Sequence, residues 1–595
     1  MCGIAGVLRF DGCRADPALA TAMAARLAHR GPDGSGTFCR EGVSLSHTRL
    51  AVIDPGNGAQ PMGSADGGVQ IVSDGAIYNH LQLRTRLARQ GHVFRTRSDT
   101  EVLLAGYARW GEDLPARLHG MFAFAIVDFP RKKLLLARDH LGSKPLYWTA
   151  NAARLAFASE IAALRLLPDH GTDLDMQAMD QYLQLRYIPP PRTVFRGTQK
   201  LPPGTLLCAD FDGTVHEPRR YWTLAYAPQD DLSAEEWDEQ LDWALTDSVR
   251  AHLVADVPFG ACLSGGIGST LIVDRMARLL DDPVDAFSID FEDAAGSEKE
   301  YARYAAAECG ASHHLRTVRC DALTLLPAML DRFGEPFGDC SAAAAWRLAE
   351  LARAHVPMVL SGDGGDEAFG GHAAYGLWLS GADNRSAPWP QFSDGLGRYL
   401  SLVGSVDSPF RERLWRAPYR HVLTAPFAWH EAAFAAVDGL PALAQARLLD
   451  IAGALQGEIL TKVDVTSMAH GLEVRTPFAD VHIMELALRL PEALLMARDA
   501  DGAWQGKLAL KRLLSRHFPE SFVNRPRRGF ALPLADWFGP TGSSHAHLAA
   551  RLTGPDSRLR PFFHPEPVAQ LLAAASPGPL WVLLTLEQWL RQNDY

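Results

Sequence analysis

The chain has 595 residues, 47% of them hydrophobic, and its 58 basic against 69 acidic residues give a net charge of -11. This length predicts two or more domains, each able to bury a core. The mildly acidic balance offers no broad positive surface for nucleic acid, and the sequence has no apolar run long enough to predict a membrane span. Eight cysteines without a CxxC pair indicate neither a zinc site nor a disulfide framework, so we expect a cytoplasmic protein.

Residues 1 to about 160 have the pattern of short strands separated by turns. The strand-like segments are GIAGVLRF, VSLSHTRLAVID, GVQIVSDGAIY, MFAFAIVD, KLLLARD and RLAFASE. Helical patterns lie between them, notably at 18–29 and 81–90. This alternation predicts an α+β layered domain with mainly antiparallel strands.

A proline-rich passage at 187–207 marks a domain junction, because proline disfavours both helix interiors and central strands. Beyond it, long helical patterns alternate with short apolar strands, which is typical of a parallel α/β sheet with a largely helical C-terminal part. We therefore divide the chain into a first domain at 1–210, a linker at 211–235 and a second domain at 236–595.

The second residue is a candidate nucleophile. Cys2 follows Met1, and a side chain this small permits removal of the initiator methionine. The thiol would then stand beside a free α-amine, whose reference pKa near ~8 lets it accept the thiol proton at neutral pH. The alternative is a cysteine that occupies position 2 by chance.

Five motifs around this cysteine occur in a fixed order. They are MCGIAGVL, HRGPDGSG at 29–36, HTRLAVID at 47–54, SDTEVLLAGY at 98–107 and ARDHLGSKPLYW at 137–148. Together they resemble the class II glutamine amidotransferases. The resemblance implies an N-terminal-nucleophile α/β/β/α sandwich in which Cys2 attacks the glutamine side-chain amide. It also implies that Arg49 pairs with the glutamine α-carboxylate and that Asp99 receives its α-ammonium; the alternative is a structural salt bridge.

One segment departs from that family. The family usually has Asn-Gly-Glu where this chain has Asp74-Gly75-Ala76. The asparagine amide donates to the oxyanion, whereas an ionised aspartate has no donor, and losing such a donor typically costs ~10²–10³ in rate. The backbone N–H of Gly75 remains available, and Ala76 removes a carboxylate expected near the substrate ammonium. We therefore expect a glutaminase that is slow, inactive or fitted to another amide.

A second set of motifs lies in the other half. ACLSGGIGST at 261–270 combines a strand, a glycine-rich turn and a helix start, an arrangement that binds anions but is a weak signal alone. It is joined by FSIDFED at 287–293, LSGDGGDEAFGG at 360–371, KVDVTSMAHGLEVRTPFAD at 462–480 and RPRRGFALPLADWF at 525–538. The whole set resembles the glutamine-hydrolysing asparagine synthetases, with their α/β PP-loop ATP-pyrophosphatase domain.

That resemblance implies roles for ATP, Mg²⁺ and an acceptor acid, aspartate by default. The implied ATP-binding residues are Leu263, Ser264, Gly265, Gly266, Ser269, Ile289, Ser361 and Gly362. Asp366 would bind Mg²⁺, and Asp363 would lie near the acceptor. The acceptor carboxylate would attack the α-phosphate of ATP, and ammonia from Cys2 would reach the resulting acyl-adenylate through an enclosed tunnel.

Two further positions depart from the family. Gly268 stands where an aspartate usually helps to hold Mg²⁺-pyrophosphate, and Arg527 stands where a lysine usually stabilises developing charge. Three interpretations remain open: an aspartate-amidating synthetase, a homologue that amidates another acid or closes a lactam, and a catalytically weakened homologue with a scaffold role. By resemblance alone, we expect a homodimer.

Overall fold

A computed structural model describes residues 2–292, 298–319, 322–381, 395–424, 428–525, 534–539, 542 and 545–595. The strands of the first half are β1 (Cys2–Arg9), β2 (Gly34–Arg40), β3 (Val43–Arg49), β4 (Met62–Gly63), β5 (Val69–Ile77), β6 (Gly120–Asp128), β7 (Lys133–Arg138), β8 (Tyr147–Asn151), β9 (Arg154–Ala158), β10 (Gln199–Lys200), β11 (Thr205–Asp210) and β12 (Arg219–Arg220). Its α-helices are α1 (Pro17–Arg26), α2 (His80–Arg89), α3 (Asp99–Trp110), α4 (Ile161–Leu164) and α5 (Met176–Leu185). Short 3-10 turns follow α3 at Gly111–Asp113 and Pro115–Arg117.

These strands form two antiparallel sheets that pack face to face. Their orders are β10-β8-β9-β1-β3-β2 and β12-β11-β7-β6-β5-β4. Strand β6 shows how the layers arise, since alternate side chains of a strand point to opposite faces. Ala123 and Ala125 enter the core between the sheets, while Phe122 and Phe124 pack under α2 and α3. Helix α1 covers the outer face of the other sheet, so the predicted α/β/β/α sandwich is confirmed.

The second half is built on a parallel sheet. Its strands are β13 (Phe259–Cys262), β14 (Asp285–Phe291), β15 (Ser312–Val318), β16 (Met358–Leu360) and β17 (Glu473–Arg475), with a separate hairpin of β18 (Ala497–Arg498) and β19 (Trp504–Gln505). The five-stranded sheet has the order β15-β14-β13-β16-β17 and all four pairings are parallel. The carboxyl ends of its strands therefore meet at one edge, which is where open α/β sheets bind ligands.

Helices surround this sheet and continue to the end of the chain. They are α6 (Ala234–His252), α7 (Ile267–Leu279), α8 (Lys299–Glu308), α9 (Ala322–Phe333), α10 (Ala342–Arg353), α11 (Gly365–Phe369), α12 (Ala373–Leu379), α13 (Gly395–Val403), α14 (Ser408–Leu414), α15 (Ala428–Ala436), α16 (Ala442–Asp450), α17 (Leu460–Met468), α18 (Val481–Ala487), α19 (Leu508–Ser515), α20 (Glu520–Val523), α21 (Leu534–Phe538), α22 (His545–Thr553), α23 (Pro565–Ala573) and α24 (Pro577–Gln592). A π-helix at Ile451–Ile459 joins α16 to α17, and 3-10 turns lie at Ala417–Thr424, Pro477–Ala479 and Glu492–Leu494. Within the described ranges, none of these helices has the length and apolar character that crossing a bilayer requires.

The start of α1 follows from its capping residue. The side chain of Asp16 accepts hydrogen bonds from the backbone N–H groups of Ala18 and Leu19, and Pro17 occupies the first helical position. Ser98 caps α3 in the same way through the N–H of Thr100. The sequence pattern did not single out α3, which lies within one of the amidotransferase motifs.

The two halves share one continuous apolar core. It extends from the side chains under α1 through α5 to α24 at the end of the chain. The segment predicted as a linker contains β12, which pairs with β11 through Thr205 and Arg220. The division at 210 and 235 stays a prediction.

Candidate active sites

The proposed nucleophile lies at the start of β1, opposite the end of β3. Cys2 pairs in register with Arg49, and both line a pocket with Gly75, Ala76 and Asp99. Glu473 and Arg475 of β17 complete its wall, so both halves of the chain build this pocket. Burial raises the pKa of the Cys2 thiol to about 11. The thiol therefore needs a base before it can act as a nucleophile.

The two charged groups expected to hold glutamine are fixed by backbone contacts. The Arg49 guanidinium donates to the carbonyls of Pro55 at 2.8 Å and Asp54 at 2.7 Å. Asp99 opens α3, and its carboxylate accepts the N–H of Ile77 at 3.0 Å. One cation and one anion thus line the same pocket in set orientations, which suits the two charges of a free amino acid.

Gly75 occupies a position that only glycine fits. Its φ is +124°, and an added Cβ would lie 2.0 Å from the carbonyl oxygen of Met121. This close strand approach lets the main chain of Gly75 line the pocket beside Cys2. Ala76 follows it as a buried wall residue with no polar group to offer.

The Asp74 carboxylate bridges Cys2 and Arg30. One oxygen accepts the backbone N–H of Cys2 at 2.7 Å, and the other accepts from the Arg30 guanidinium at 2.9 Å. The side chain is fully buried. Its role is therefore electrostatic: it pairs with Arg30 next to the nucleophile.

Arg30 links the nucleophile to the second domain. Its Nε donates to the carbonyl of Cys2 at 3.0 Å, and its terminal nitrogens donate to both oxygens of Asp464 on α17 at 2.8 and 3.2 Å. Lys144 donates to Asp464 at 2.7 Å, and Glu160 completes the group 3.3 Å from Arg30. Burial by itself raises the pKa of Asp464, but Arg30 and Lys144 outweigh it and hold that pKa below its usual range.

The glycine-rich turn of the second half joins β13 to α7. Gly265 has a φ of +82°, and an added Cβ would lie 2.6 Å from the backbone nitrogen of Ala302. The hydroxyls of Ser264 and Ser269 lie 3.0 Å apart, and Ser269 also accepts the Ser264 N–H at 3.2 Å. Gly266 is the N-cap residue of α7. The hydroxyls of Ser264 and Ser269 and the N-terminus of α7 therefore lie together at this turn, an arrangement that favours an anion.

The neighbouring strands bring the other predicted nucleotide residues to this turn. Leu263 follows the end of β13, Ile289 lies in the adjacent strand β14, and both are buried. The Leu263 N–H donates to the carbonyl of Phe287 at 2.8 Å. Gly362 packs directly on α7, because a Cβ there would lie 2.6 Å from the Ser269 nitrogen. A Cβ at Gly268 would lie 3.2 Å from the Gly362 carbonyl oxygen, so a side chain fits only if that neighbour shifts slightly.

Two carboxylates follow β16, and each lies near a partly buried lysine. Ser361 donates to Asp363 at 2.7 Å, and burial raises the pKa of Asp363 although the nearby charge of Lys462 opposes that rise. Lys507 forms a 2.9 Å ion pair with Asp366. In the described part of the chain, no three His, Cys, Asp or Glu side chains are grouped to hold a metal ion. Arg527 lies outside the described residues.

Several buried charges near these sites were not predicted from the sequence. They are Arg30, Lys144, Glu160, Asp464, Glu473 and Arg475. All but Glu160 fall inside the quoted motifs. A buried charge must be paired with an opposite charge, so the charged residues inside these motifs were the sequence signal for a buried network.

Comparisons with known proteins agree with this two-site arrangement. Residues 1–222 match the family model for a glutamine amidotransferase domain, and residues 240–591 match the model for asparagine synthase. A putative glutamine-hydrolyzing asparagine synthetase of Mycobacterium tuberculosis H37Rv is 34% identical over 90% of this chain and 88% of its own. Glutamine-hydrolyzing asparagine synthetase 1 of Bacillus subtilis is 29% identical over 99% of this chain and 96% of its own.

A relative from Gibberella zeae, named amidase chry2, is 26% identical over 93% of this chain and 92% of its own. Among solved structures, the glutamine phosphoribosylpyrophosphate amidotransferase of B. subtilis is 16% identical, covers 60% of this chain and 81% of its own, and has a TM-score of 0.29.

The sandwich with its cysteine pocket and the parallel sheet with its glycine-rich turn, together with the two matched family models, thus define an amidotransferase joined to a synthetase. The chain belongs to the asparagine synthase family. The expected enzyme class, an ATP-dependent carbon–nitrogen ligase that makes amides with glutamine as nitrogen donor, is confirmed.

Proposed function

We propose that this ligase converts aspartate to asparagine through an acyl-adenylate, with nitrogen released from glutamine at Cys2. The observation that carries the proposal is the direct contact between a residue of the cysteine pocket and a residue of the nucleotide site. Arg475 of β17 lines the cysteine pocket, and its carbonyl accepts the N–H of Ser361, the residue that follows β16 in the proposed nucleotide site, at 2.8 Å. The two sites are therefore adjacent through this strand pair, which supports transfer of nitrogen from one to the other.

In the first step, the glutamine zwitterion binds between Arg49 and Asp99. The Cys2 thiol gives its proton to the free amine of the same residue and attacks the side-chain amide carbon. The Gly75 N–H supports the oxyanion, ammonia leaves, and water releases glutamate from the thioester. The buried network behind Cys2 fixes the backbone of the nucleophile through the contact from Arg30 to its carbonyl.

In the second step, the turn at 264–266 and Ser269 bind the pyrophosphate part of ATP, while Leu263 and Ile289 flank the adenine. Ser361 and Gly362 lie along the nucleotide. The hydroxyls and the N-terminus of α7 support these roles because they favour negative charge.

Mg²⁺ fits this donor set. The cation is typically held by one or two carboxylates together with substrate phosphates, so a large protein cage is not required. Asp366 follows the loop that packs on α7 and would hold it. Bound there, Mg²⁺ would neutralise charge on the leaving pyrophosphate. Lys507 pairs with that carboxylate at 2.9 Å and would help to orient it.

The acceptor binds near Asp363 and Lys462. Its carboxylate oxygen attacks the α-phosphorus, pyrophosphate leaves, and ammonia then attacks the acyl carbon to give the amide and AMP. Lys462 donates to Asp339 at 2.8 Å and lies close enough to Asp363 to oppose the rise that burial causes in the Asp363 pKa, so this region offers both kinds of charged group to an amino-acid acceptor. Arg527 would stabilise charge in this step.

An acid other than aspartate is the second candidate acceptor, and the reaction would then be another amidation or a lactam closure. The extended similarity to a relative named as an amidase supports this alternative, as do the side-chain losses at Ala76 and Gly268. We further propose a cytoplasmic protein that forms a homodimer, which sedimentation of the purified protein tests.

The deciding experiment measures pyrophosphate release from Mg²⁺-ATP with aspartate and ammonium supplied directly. Release that depends on aspartate supports the first proposal, and release with a different acid from a panel supports the second. Replacement of both Ser264 and Ser269 by alanine should abolish release and leave glutamine hydrolysis intact. No release with any acid would contradict both proposals.

A further inference from the structure

A chain of buried charges ends at the nitrogen of Cys2. The Asp74 carboxylate accepts from that nitrogen at 2.7 Å and from Arg30 at 2.9 Å. Arg30 then reaches Asp464 at 2.8 Å, which also accepts from Lys144 at 2.7 Å. Each of these side chains is at most 2% exposed, so water screens their charges little.

Five charged side chains near Cys2 are in direct contact with one another. Arg30 and Lys144 supply two positive charges, whereas Asp74, Asp464 and Glu160 supply three negative charges. His29 lies between Glu160 and Arg332, with its ring nitrogens 2.8 and 3.2 Å from them, and Arg332 in turn lies 3.6 Å from Asp331. At the other end of the group, Asp74 has the Cys2 nitrogen as its second partner, which is the position that a protonated amino group would occupy.

We propose that Asp74 is the counter-ion of the free amino group of Cys2, and that Arg30 and Asp464 are the positioning residues that hold its carboxylate toward that nitrogen. The inference rests on the proposed role of Cys2 as an N-terminal nucleophile. Asp74 would then act as a counter-ion, whereas the asparagine usual at this position donates a hydrogen bond to the oxyanion. Arg49 and Asp99 are among the residues that line the pocket with Cys2, whereas Asp74 is not.

The remaining ionisable groups around Cys2 leave this pairing intact. Glu473 approaches from β17 and pairs with Arg475 at 2.6 Å, and its negative charge also acts on Cys2. His47 on β3 is neutral because burial lowers its pKa to about 3. Arg49 and Asp99 line the pocket and carry opposite charges. Asp74 is thus the carboxylate in direct contact with the Cys2 nitrogen.

This pairing changes how the enzyme responds to pH. A carboxylate at hydrogen-bond distance favours the charged form of an amine and typically raises its pKa by about 1–3 units. The protonated amine cannot accept the thiol proton. Glutamine hydrolysis should therefore increase as pH rises through the raised amine pKa, which lies above the reference value of ~8.

The test measures the amine pKa directly, without turnover. The methionine-processed protein is acetylated briefly at a series of pH values, and the modified N-terminal peptide is quantified by mass spectrometry. Asp74→Asn should lower the pH of half-maximal labelling by about one unit or more. Asp128→Asn is the matched control, since Asp128 is a buried aspartate on the neighbouring strand that pairs instead with Arg131.

Asp464→Asn provides a second, independent variant from the other domain. Without Asp464, Arg30 neutralises Asp74 more fully, so the amine pKa should fall, but less than in Asp74→Asn. Equal half-maximal labelling in wild type, Asp74→Asn and Asp464→Asn would overturn the inference, as would a mature mass that retains Met1. A shifted amine pKa in a protein that hydrolyses no glutamine would refute the proposed function but uphold the counter-ion.

Discussion

The backbone N–H of Ser361 donates a 2.8 Å hydrogen bond to the carbonyl of Arg475. Ser361 belongs to the predicted nucleotide site, whereas the side chain of Arg475 lines the pocket of Cys2. The parallel register of Leu360 with Arg475 fixes this contact. A displacement of β16 or β17 would therefore change the geometry of both predicted sites, because this hydrogen-bonded strand pair contributes to each of them.

Cys2→Ala should abolish glutamine-dependent amide synthesis and spare the ammonia-dependent reaction, because only the first requires the thiol. The measurement compares amide formation with each nitrogen source. Cys39→Ala is the control, since Cys39 is an exposed cysteine. Equal loss of both reactions in Cys2→Ala would contradict the two-site arrangement.

Arg30→Leu should destabilise the fold by about 3–5 kcal/mol, because it leaves buried carboxylates without their shared cation. The effect is measured as a lower midpoint of thermal or denaturant unfolding. Arg40→Leu should leave the midpoint nearly unchanged, since Arg40 and Glu41 form an exposed pair. A midpoint for Arg30→Leu that matches Arg40→Leu would show that the network adds no stability.

Gly268→Asp should lower the KM for Mg²⁺-ATP, because it adds a carboxylate to the pyrophosphate site. The added Cβ lies 3.2 Å from the Gly362 carbonyl, so part of the gain will be offset by a local shift. Gly268→Ala isolates this steric effect, and the comparison is made by pyrophosphate release against Mg²⁺ concentration. An unchanged Mg²⁺ dependence in Gly268→Asp would argue against the placement of pyrophosphate beside α7.

The contact of His119 with Asp480 should make the interface between the halves sensitive to pH. The two side chains are 2.6 Å apart, and the pull of Asp480 outweighs burial, so the pKa of His119 lies above its ordinary value. Its stabilising contribution is complete below the unfolded pKa of ~6.5 and is lost as pH rises through the raised folded pKa. Asp480, whose pKa burial would raise but the His119 contact lowers to about 2, stays ionised across that window.

The measurement is the difference in melting temperature between wild type and His119→Gln. That difference should be largest between about pH 4.5 and 6.5 and should shrink toward pH 9. His140 and His252 also face this interface, and burial lowers the pKa of each to about 4. They are present in both proteins, so their titration cancels. A difference independent of pH would refute the assignment.

Much of the arrangement was predictable because it depends on local pattern. Alternating apolar residues predicted strands β1, β3, β5, β6, β7 and β9, and the motif around Ser264 predicted a strand, a turn and a helix start. The ends of elements were less predictable, since Asp16 and Ser98 cap their helices through side-chain contacts that periodicity does not contain.

The sequence by itself determined the two-part organisation, the family and the candidate residues Cys2, Arg49 and Asp99, because ordered motifs carry that information residue by residue. Only the tertiary structure decided what Asp74 does. The sequence showed a lost amide donor, whereas the fold pairs its carboxylate with Arg30 and, through it, with Asp464, which lies 434 positions from Arg30. A charge is buried at tolerable cost only when it is paired with an opposite charge, and the two partners can be far apart in the chain. The spacing of residues in the sequence does not show which charges are paired.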